Sequence, residues 1–366
     1  MLVFLDSSVI CTDFYMRGTY FDLLKKVDTI VLSEVVIAEV KNKHQEMINE
    51  NLRNMNKSIS TLDRLLSNPV QADTENLLIQ EQEAYSDFIE MFLIESGMTI
   101  AEPYPEIEHE QIVERALQRK KPFKSDGKNG YRDYLVWRSF LDMAKRLSME
   151  EVCFITLNKK DFSDEKDEKK FHPDLLVELN EAGISVDRVH YWISLKDYVE
   201  GIVKPQLSQN EEKQEFADSL LSNKEGFSQP LETLIFEQLV GLDLSDYDVT
   251  IWGENSTIST VDEIYCIEIE KASNVSDTEC LLEIHLDIVC SIESYLLKSE
   301  LAAIGEKGLG DSQVINSDWN DHYVLLGTDT SLKIEIDVIY NIEQKVFSTF
   351  ELSDVSDYNC IYCPYD

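Results

Sequence analysis

The chain is short of cations, and the shortage is uneven. Its 366 residues carry 33 Lys and Arg against 70 Asp and Glu, a formal net charge of −37. Residues 1–204 hold 26 of the basic residues against 37 acids, residues 205–366 hold 7 against 33, and no Arg follows Arg188. Arginine is the preferred bidentate phosphate donor, so the C-terminal part is not expected to grip nucleic acid. Such an acidic surface serves a basic protein partner or plain solvation. Seven cysteines, an odd number without framework spacing, argue against a secreted disulfide scaffold. Cys360 and Cys363 have the spacing of half a zinc site, but no second close pair accompanies them. No apolar run approaches the ~20 residues of a membrane span, and Leu2–Leu5, stopped by Asp6, is too short for a signal peptide. The expected location is cytoplasmic, with no membrane partner. His44, His109, His172, His190, His285 and His322 are scattered without ligand spacing, and neither a Gly-rich phosphate loop nor a nucleophile elbow occurs.

What is present is a globular composition, 43% hydrophobic and 10% aromatic, over a length that predicts two domains. The apolar run Leu2–Leu5 fits a buried parallel strand feeding a loop. Tyr20 to Val27 reads as an amphipathic helix, Ile30 to Leu32 as a second strand, and Ser33 as the N-cap of a helix carrying Val35, Val36, Glu39 and Val40. From Met47 to Gly97 the pattern is helical, broken at Asn68 and Pro69, an insertion beside the sheet. A helix from about Glu106 to Arg119 leads into the loop Lys120–Gly130, and Tyr134, Leu135, Trp137, Phe140, Leu141 and Ala144 mark the next helix. Strands follow over 151–156 and 186–192, with a helix around 174–182 between them. Beyond Pro205, residues 211–223 and 231–239 look helical, 205–244 being a helical connector. Period-two alternation then begins at Val249 and Ile251 and continues through 264–269, 282–288 and 332–338, with 299–321 a loop region.

Four stretches in the first half place acids where a metal-dependent nuclease needs them. Asp6 closes the first strand; Glu39 lies in Ser33 to Glu39 (SEVVIAE), on a helix beginning just after a strand. Asp133 lies in Gly130 to Asp133 (GYRD), in the first turn of another helix, and Asp161 in Thr156 to Phe162 (TLNKKDF), a polar turn after a strand. In a doubly wound sheet the carboxyl ends of the strands converge on one crevice, so these residues can share a site. Carboxylates gathered there suit Mg²⁺ or Mn²⁺, which take oxygen ligands and activate water. Left uncompensated, Asp6, Glu39 and Asp133 would raise one another's pKa values. Taken alone, Asp133 would be favoured in a first helical turn without any catalytic role. Ser7, Ser8 and Thr156 are candidates to hydrogen-bond the metal's waters or an incoming phosphate. Arg115, Arg119, Lys120, Lys121, Lys124, Lys128 and Arg132 form a basic concentration leading to Asp133, a candidate phosphate track that Arg138 would extend. Asp126 lies in a Ser-Asp-Gly sequence of the kind that marks a turn.

In this order the four stretches resemble the PIN (PilT N-terminal) nuclease family over roughly residues 1–200. The resemblance is to a bacterial PIN-like subgroup of unknown function, through Lys121 to Phe123 (KPF), Gly130 to Trp137 (GYRDYLVW) and Phe154 to Phe162 (FITLNKKDF). It implies a three-layer α/β/α domain with a central parallel sheet over 1–204. A mainly antiparallel, acidic β domain over 245–366 would follow it, for regulation or interaction. It also implies divalent-metal cleavage of nucleic acid, usually RNA, with Asp6, Glu39 and Asp133 as ligands and catalytic groups. The family often has a fourth acid soon after the Thr of the last motif. Here Asn158 stands there with Asp161 three residues on, and which of the two completes the site stays open.

The leading expectation is therefore an endoribonuclease with a toxin-like or defence role by analogy. Two others stand beside it: a catalytically weak PIN scaffold that binds RNA or protein, and a DNA-cutting enzyme. The C-terminal domain is also free to build an oligomer, Trp252, Trp319, Tyr323 and Tyr340 being compatible with an interface or a core.

Overall fold

The computed structural model describes residues 1–66, 74–95, 99–124, 126–208 and 220–357. Asn68, Pro69, Cys360, Cys363 and most of the helix expected over 211–223 lie outside them. The chain divides into two compact units, Met1–Pro205 and Gln206–Asp366.

The first unit is built on five parallel strands, β1 (Leu2–Leu5), β2 (Thr29–Ser33), β3 (Thr99–Glu102), β4 (Val152–Ile155) and β5 (Val189–Trp192). They lie in the order β3-β2-β1-β4-β5. The chain builds outward from β1 to β3, then returns to β1's other side, so the order reverses between β1 and β4. The two are paired in register from Leu2 opposite Val152 to Leu5 opposite Ile155, and every residue of both is buried. Strands buried on both faces must be covered by helices on both, and these are α1 (Ser7–Ile10), α2 (Thr19–Val27), α3 (Glu34–Asp63), α4 (Thr74–Glu95), α5 (His109–Gln118), α6 (Tyr131–Arg146), α7 (Lys159–Phe162) and α8 (Pro173–Glu181). Ser33 caps α3, its hydroxyl accepting from Val36 N–H at 3.2 Å. The core is aromatic: Phe154 packs on Phe4, Phe140, Trp137, Phe162, Phe171 and Tyr191.

Two features differ from the sequence reading. The helical insertion ends in a strand, β3, whose Thr99–Glu102 contains one strongly apolar side chain, Ile100, and so gives no periodic signal. The strand expected over 186–192 is shortened to Val189–Trp192 by a preceding helical turn, Val186–Arg188.

The second unit is an antiparallel sheet of β6 (Glu254–Asn274), β7 (Glu279–Leu297), β9 (Tyr323–Asn341) and β10 (Val346–Asp357), in the order β10-β9-β7-β6, with β8 (Ser312–Asn316) also on β9. β7 and β9 pair continuously from Glu279 opposite Asn341 to Leu297 opposite Tyr323, whereas the β6–β7 pairing shifts register five times and β9–β10 twice. One face buries Leu282, Ile284, Leu286 and Ile288 with Leu332, Ile334, Ile336 and Val338. Packed on it is the helix Gln229–Leu239, through Leu231, Ile235 and Leu239 at one-turn spacing. That helix, in the segment read as a connector, thus forms one wall of this unit's core. Val249 and Ile251 precede the first strand rather than begin it, and the region read as a loop contains the helix Lys298–Ile304 and β8. Tyr340 is core, packed edge-on against Phe227 and tilted against Phe347, while Trp252 and Trp319 are exposed.

Phe154→Ala empties the centre of the first unit's core and should cost about 3–5 kcal/mol, read as a lowered urea midpoint with Trp fluorescence; a change below about 1 kcal/mol would contradict this packing.

Candidate active site at the carboxyl ends of β1 and β4

Where strand order reverses, the loops leaving β1 and β4 diverge and open a crevice. Asp6 and Thr156 are the first residues beyond these strands, and Asp6 N–H donates to Ile155 O at 3.0 Å, so they emerge side by side. Asp6 is buried, and its Oδ2 accepts from Ser8 Oγ at 2.5 Å and from Thr156 Oγ1 at 2.7 Å. Each hydroxyl is in turn held by a backbone N–H: Leu157 donates to Ser8 Oγ at 3.0 Å and Asn158 to Thr156 Oγ1 at 2.9 Å. Ser7 Oγ donates to Glu39 Oε2 at 3.0 Å, and Arg132 reaches Glu39 Oε1 at 3.4 Å. The three hydroxyls read from sequence as contacts for water or phosphate therefore donate to carboxylates, as hydroxyls beside a buried anion do.

Asp133 sits in the first turn of α6, whose N-cap is Gly130 at φ +109°. A Cβ there would lie 2.4 Å from Pro122 O and 2.7 Å from Phe123 Cα, so only glycine lets the loop close against Pro122 and deliver Asp133. Asp161, on α7, is buried. Between them lies Asn158, whose Nδ2 donates to Asp133 Oδ1 at 3.0 Å and to Asp161 Oδ2 at 2.9 Å. A carboxylate at 158 has no proton to give at neutral pH and would face two others; the amide joins them instead. The other oxygen of Asp161, Oδ1, is buried with no hydrogen-bond partner, a costly state for an anion.

The acids feel one another. Burial, then the charges of Asp161, Asp6 and Glu39, push Asp133 up to about 6. Burial with Glu39 and Asp6 likewise pushes the Cys11 thiol up to about 11, which places Cys11 in the same field. Cys11 was not found from sequence; the signal was its spacing from Ser7, whose carbonyl accepts Cys11 N–H at 2.9 Å at the end of α1. Among the described residues no three His, Cys, Asp or Glu side chains are set as a metal's ligand shell as they stand. The donors are nonetheless all carboxylate oxygens, the type that hard cations take, and the unpartnered Asp161 Oδ1 is an atom that a cation would satisfy.

Against this geometry, the family model described as PIN domain matches residues 3–162. The N-terminal unit is a PIN domain. No curated protein and no solved structure matches the chain. PIN domains are in general nucleases, and PIN nucleases typically use divalent metals such as Mg²⁺.

The basic stretch of this PIN domain is not all of one kind. Arg115 is buried: it pairs with Glu178, donates to Lys121 O and lies over the Tyr134 ring. Lys121 donates its ammonium to Lys160 O, and Arg138 pairs with Asp142. Arg119, Lys120, Lys124, Lys128 and Arg132 are exposed. Asp126 is a turn former, accepting from Lys128 N–H at 2.9 Å and Asn129 N–H at 3.3 Å.

A carboxyl whose folded pKa lies above its unfolded value holds its proton more tightly when folded, so its contribution to stability falls as pH rises between the two. Asp133 therefore costs the metal-free protein stability from about pH 4, its ordinary range, up to about 6. In EDTA, Asp133→Asn should gain on the wild type across that interval, by urea unfolding; parallel curves would show that Asp133 is not in this field.

Proposed function

We infer that the PIN domain is a metal-dependent endonuclease that hydrolyses phosphodiester bonds, with RNA as its substrate. The carrying observation is the meeting of Asp6, Glu39, Asp133 and Asp161, from four segments, in one mutual field at the strand-order reversal. Asp6, Glu39 and Asp133 would hold Mg²⁺ or Mn²⁺, which when bound supplies an acidified water and a counter-charge for the phosphate. The rest is done by the chain. Ser8 and Thr156 fix Asp6, Ser7 fixes Glu39, and Asn158 holds Asp133 and Asp161 together. The free oxygen of Asp161 serves as a further ligand or accepts a proton from the attacking water. A proton and a cation compete for Asp133, so cation affinity should rise as pH passes about 6. Arg119, Lys120, Lys124, Lys128 and Arg132 bring phosphates toward the acids, with Lys121 tying their loop to α7. RNA as substrate, like a toxin-like or defence setting, rests on the family resemblance alone.

Within the same reading, the acidic unit regulates the nuclease by receiving a basic partner protein. The face of its sheet opposite the core aligns Glu268, His285 and Glu335 in one row and Cys266, Asp287 and Lys333 in the next, with Lys271 and Glu283 beyond. Carboxylates outnumber cations across it. A lysine-rich peptide should bind the full chain at low salt and leave at high salt, and Glu268→Lys with Glu335→Lys should weaken it; salt-insensitive or unchanged binding would remove this role.

The deciding experiment is cleavage of labelled single-stranded RNA and DNA with Mg²⁺, Mn²⁺ or EDTA. Cutting of RNA should require metal and fall more than about 100-fold in Asp6→Asn and Asp133→Asn, and about 10- to 100-fold in Asn158→Ala, which removes an outer support of the ligands. Cutting of DNA alone would reassign the substrate. Binding without cutting under any metal, with the protein folded, would leave a PIN scaffold.

A further inference from the structure

The segment from Thr12 to Gly18, which leaves α1 beside the acids, is held from within and from both sides. Asp13 accepts from the backbone N–H groups of Tyr15 at 3.1 Å, Gly18 at 3.0 Å and Arg17. Tyr85 OH donates to Phe14 O at 3.1 Å and Lys25 Nζ to Met16 O at 3.1 Å. Met16 is buried at φ +50°, a left-handed conformation that a bulky side chain adopts only where its surroundings impose it. This clamped loop presents one pair outward. The Tyr15 ring backs onto Phe88, Tyr85 and His44, with centroids 5.0, 5.4 and 5.9 Å away, and the Arg17 guanidinium lies over it at 4.2 Å. Arg17 is exposed and, in a chain of net charge −37, makes no ion pair with a described residue. A planar guanidinium seated over an aromatic ring can offer its outer side to a second planar group.

The loop is near the chemistry. Ser7, at the start of α1, donates to Glu39, and His44, which touches Tyr15 and Phe14, follows Glu39 by five residues on α3, about 7.5 Å along its axis. We propose that Arg17, seated over the Tyr15 ring by this loop, is a stacking platform for a nucleobase of the single-stranded substrate and so sets how the strand enters the carboxylate site. The proposal rests on the nuclease reading. Arginine planes and aromatic rings accept any base by stacking, so the platform positions the strand without reading its sequence. Tyr15 is a positioning residue, its hydroxyl tied to Glu81 at 3.4 Å.

The test uses the full chain carrying Asp6→Asn, which holds but does not cut, and short labelled single-stranded RNA, intact or with one abasic nucleotide at a time. Arg17→Ala and Arg17→Lys should each weaken binding on the order of 10-fold. One abasic position should weaken the parent by the same factor and have no effect once Arg17 is alanine. Full affinity in Arg17→Lys, or no abasic position that depends on Arg17, overturns the platform and leaves the nuclease standing. A parent that binds no oligonucleotide fails at the nuclease reading itself, before the platform is reached.

Discussion

Mutual repulsion among carboxylates at the carboxyl ends of β1 and β4 is the constraint that organises the PIN domain's loops. Asp6 and Asp161 are buried, Asp133 is held well above its ordinary pKa, and Glu39 contributes to the same field. The surrounding elements answer this with donors that add no charge: two hydroxyls on Asp6, one on Glu39, one amide shared by Asp133 and Asp161. Among the described residues, Arg132 alone ion-pairs with the group, from the exposed side. The carboxylates are thereby oriented but left without a compensating charge, the lack that the proposed cation would fill.

Every strand of the parallel sheet except β3, the capped helix after β2 and the positions of Asp6, Glu39 and Asp133 were legible in the sequence, because each combines an apolar run with a polar residue at its end. Ser33 was legible as a helix cap through local backbone chemistry, whereas Gly130 read only as the end of a loop. The bridging role of Asn158 was not: a substitution of amide for acid reads as a lost charge until Asp161 is seen on the amide's other side. Likewise the basic stretch could be counted but not sorted. Burial of Arg115 against Tyr134 and Glu178 depends on α8, more than fifty residues away. In the second unit, alternation located parts of β6, β7 and β9, but the 21-residue length of β6 was hidden by register shifts that break the period.

Glu178 links two levels of the domain. It accepts from Arg115, which ties down the start of the basic loop, and from Trp137 Nε1 at 2.6 Å, in the middle of α6. The loop that carries the exposed cations is thus anchored to the helix that carries Asp133 at two points, through Glu178 and through the Gly130 approach to Pro122. These anchors fix the basic loop against the helix that delivers Asp133.

The uneven regularity of the C-terminal sheet has a consequence of its own. Its central pair, β7 and β9, is unbroken, while both outer strands, β6 and β10, are repeatedly bulged. Bulges twist an outer strand and interrupt the row of free backbone groups that another chain would copy. Outer strands of 21 and 12 residues would otherwise offer long templates for intermolecular pairing. The irregularity thus guards a strongly β-forming sequence against fibrous self-association, and the like charge along it acts in the same sense.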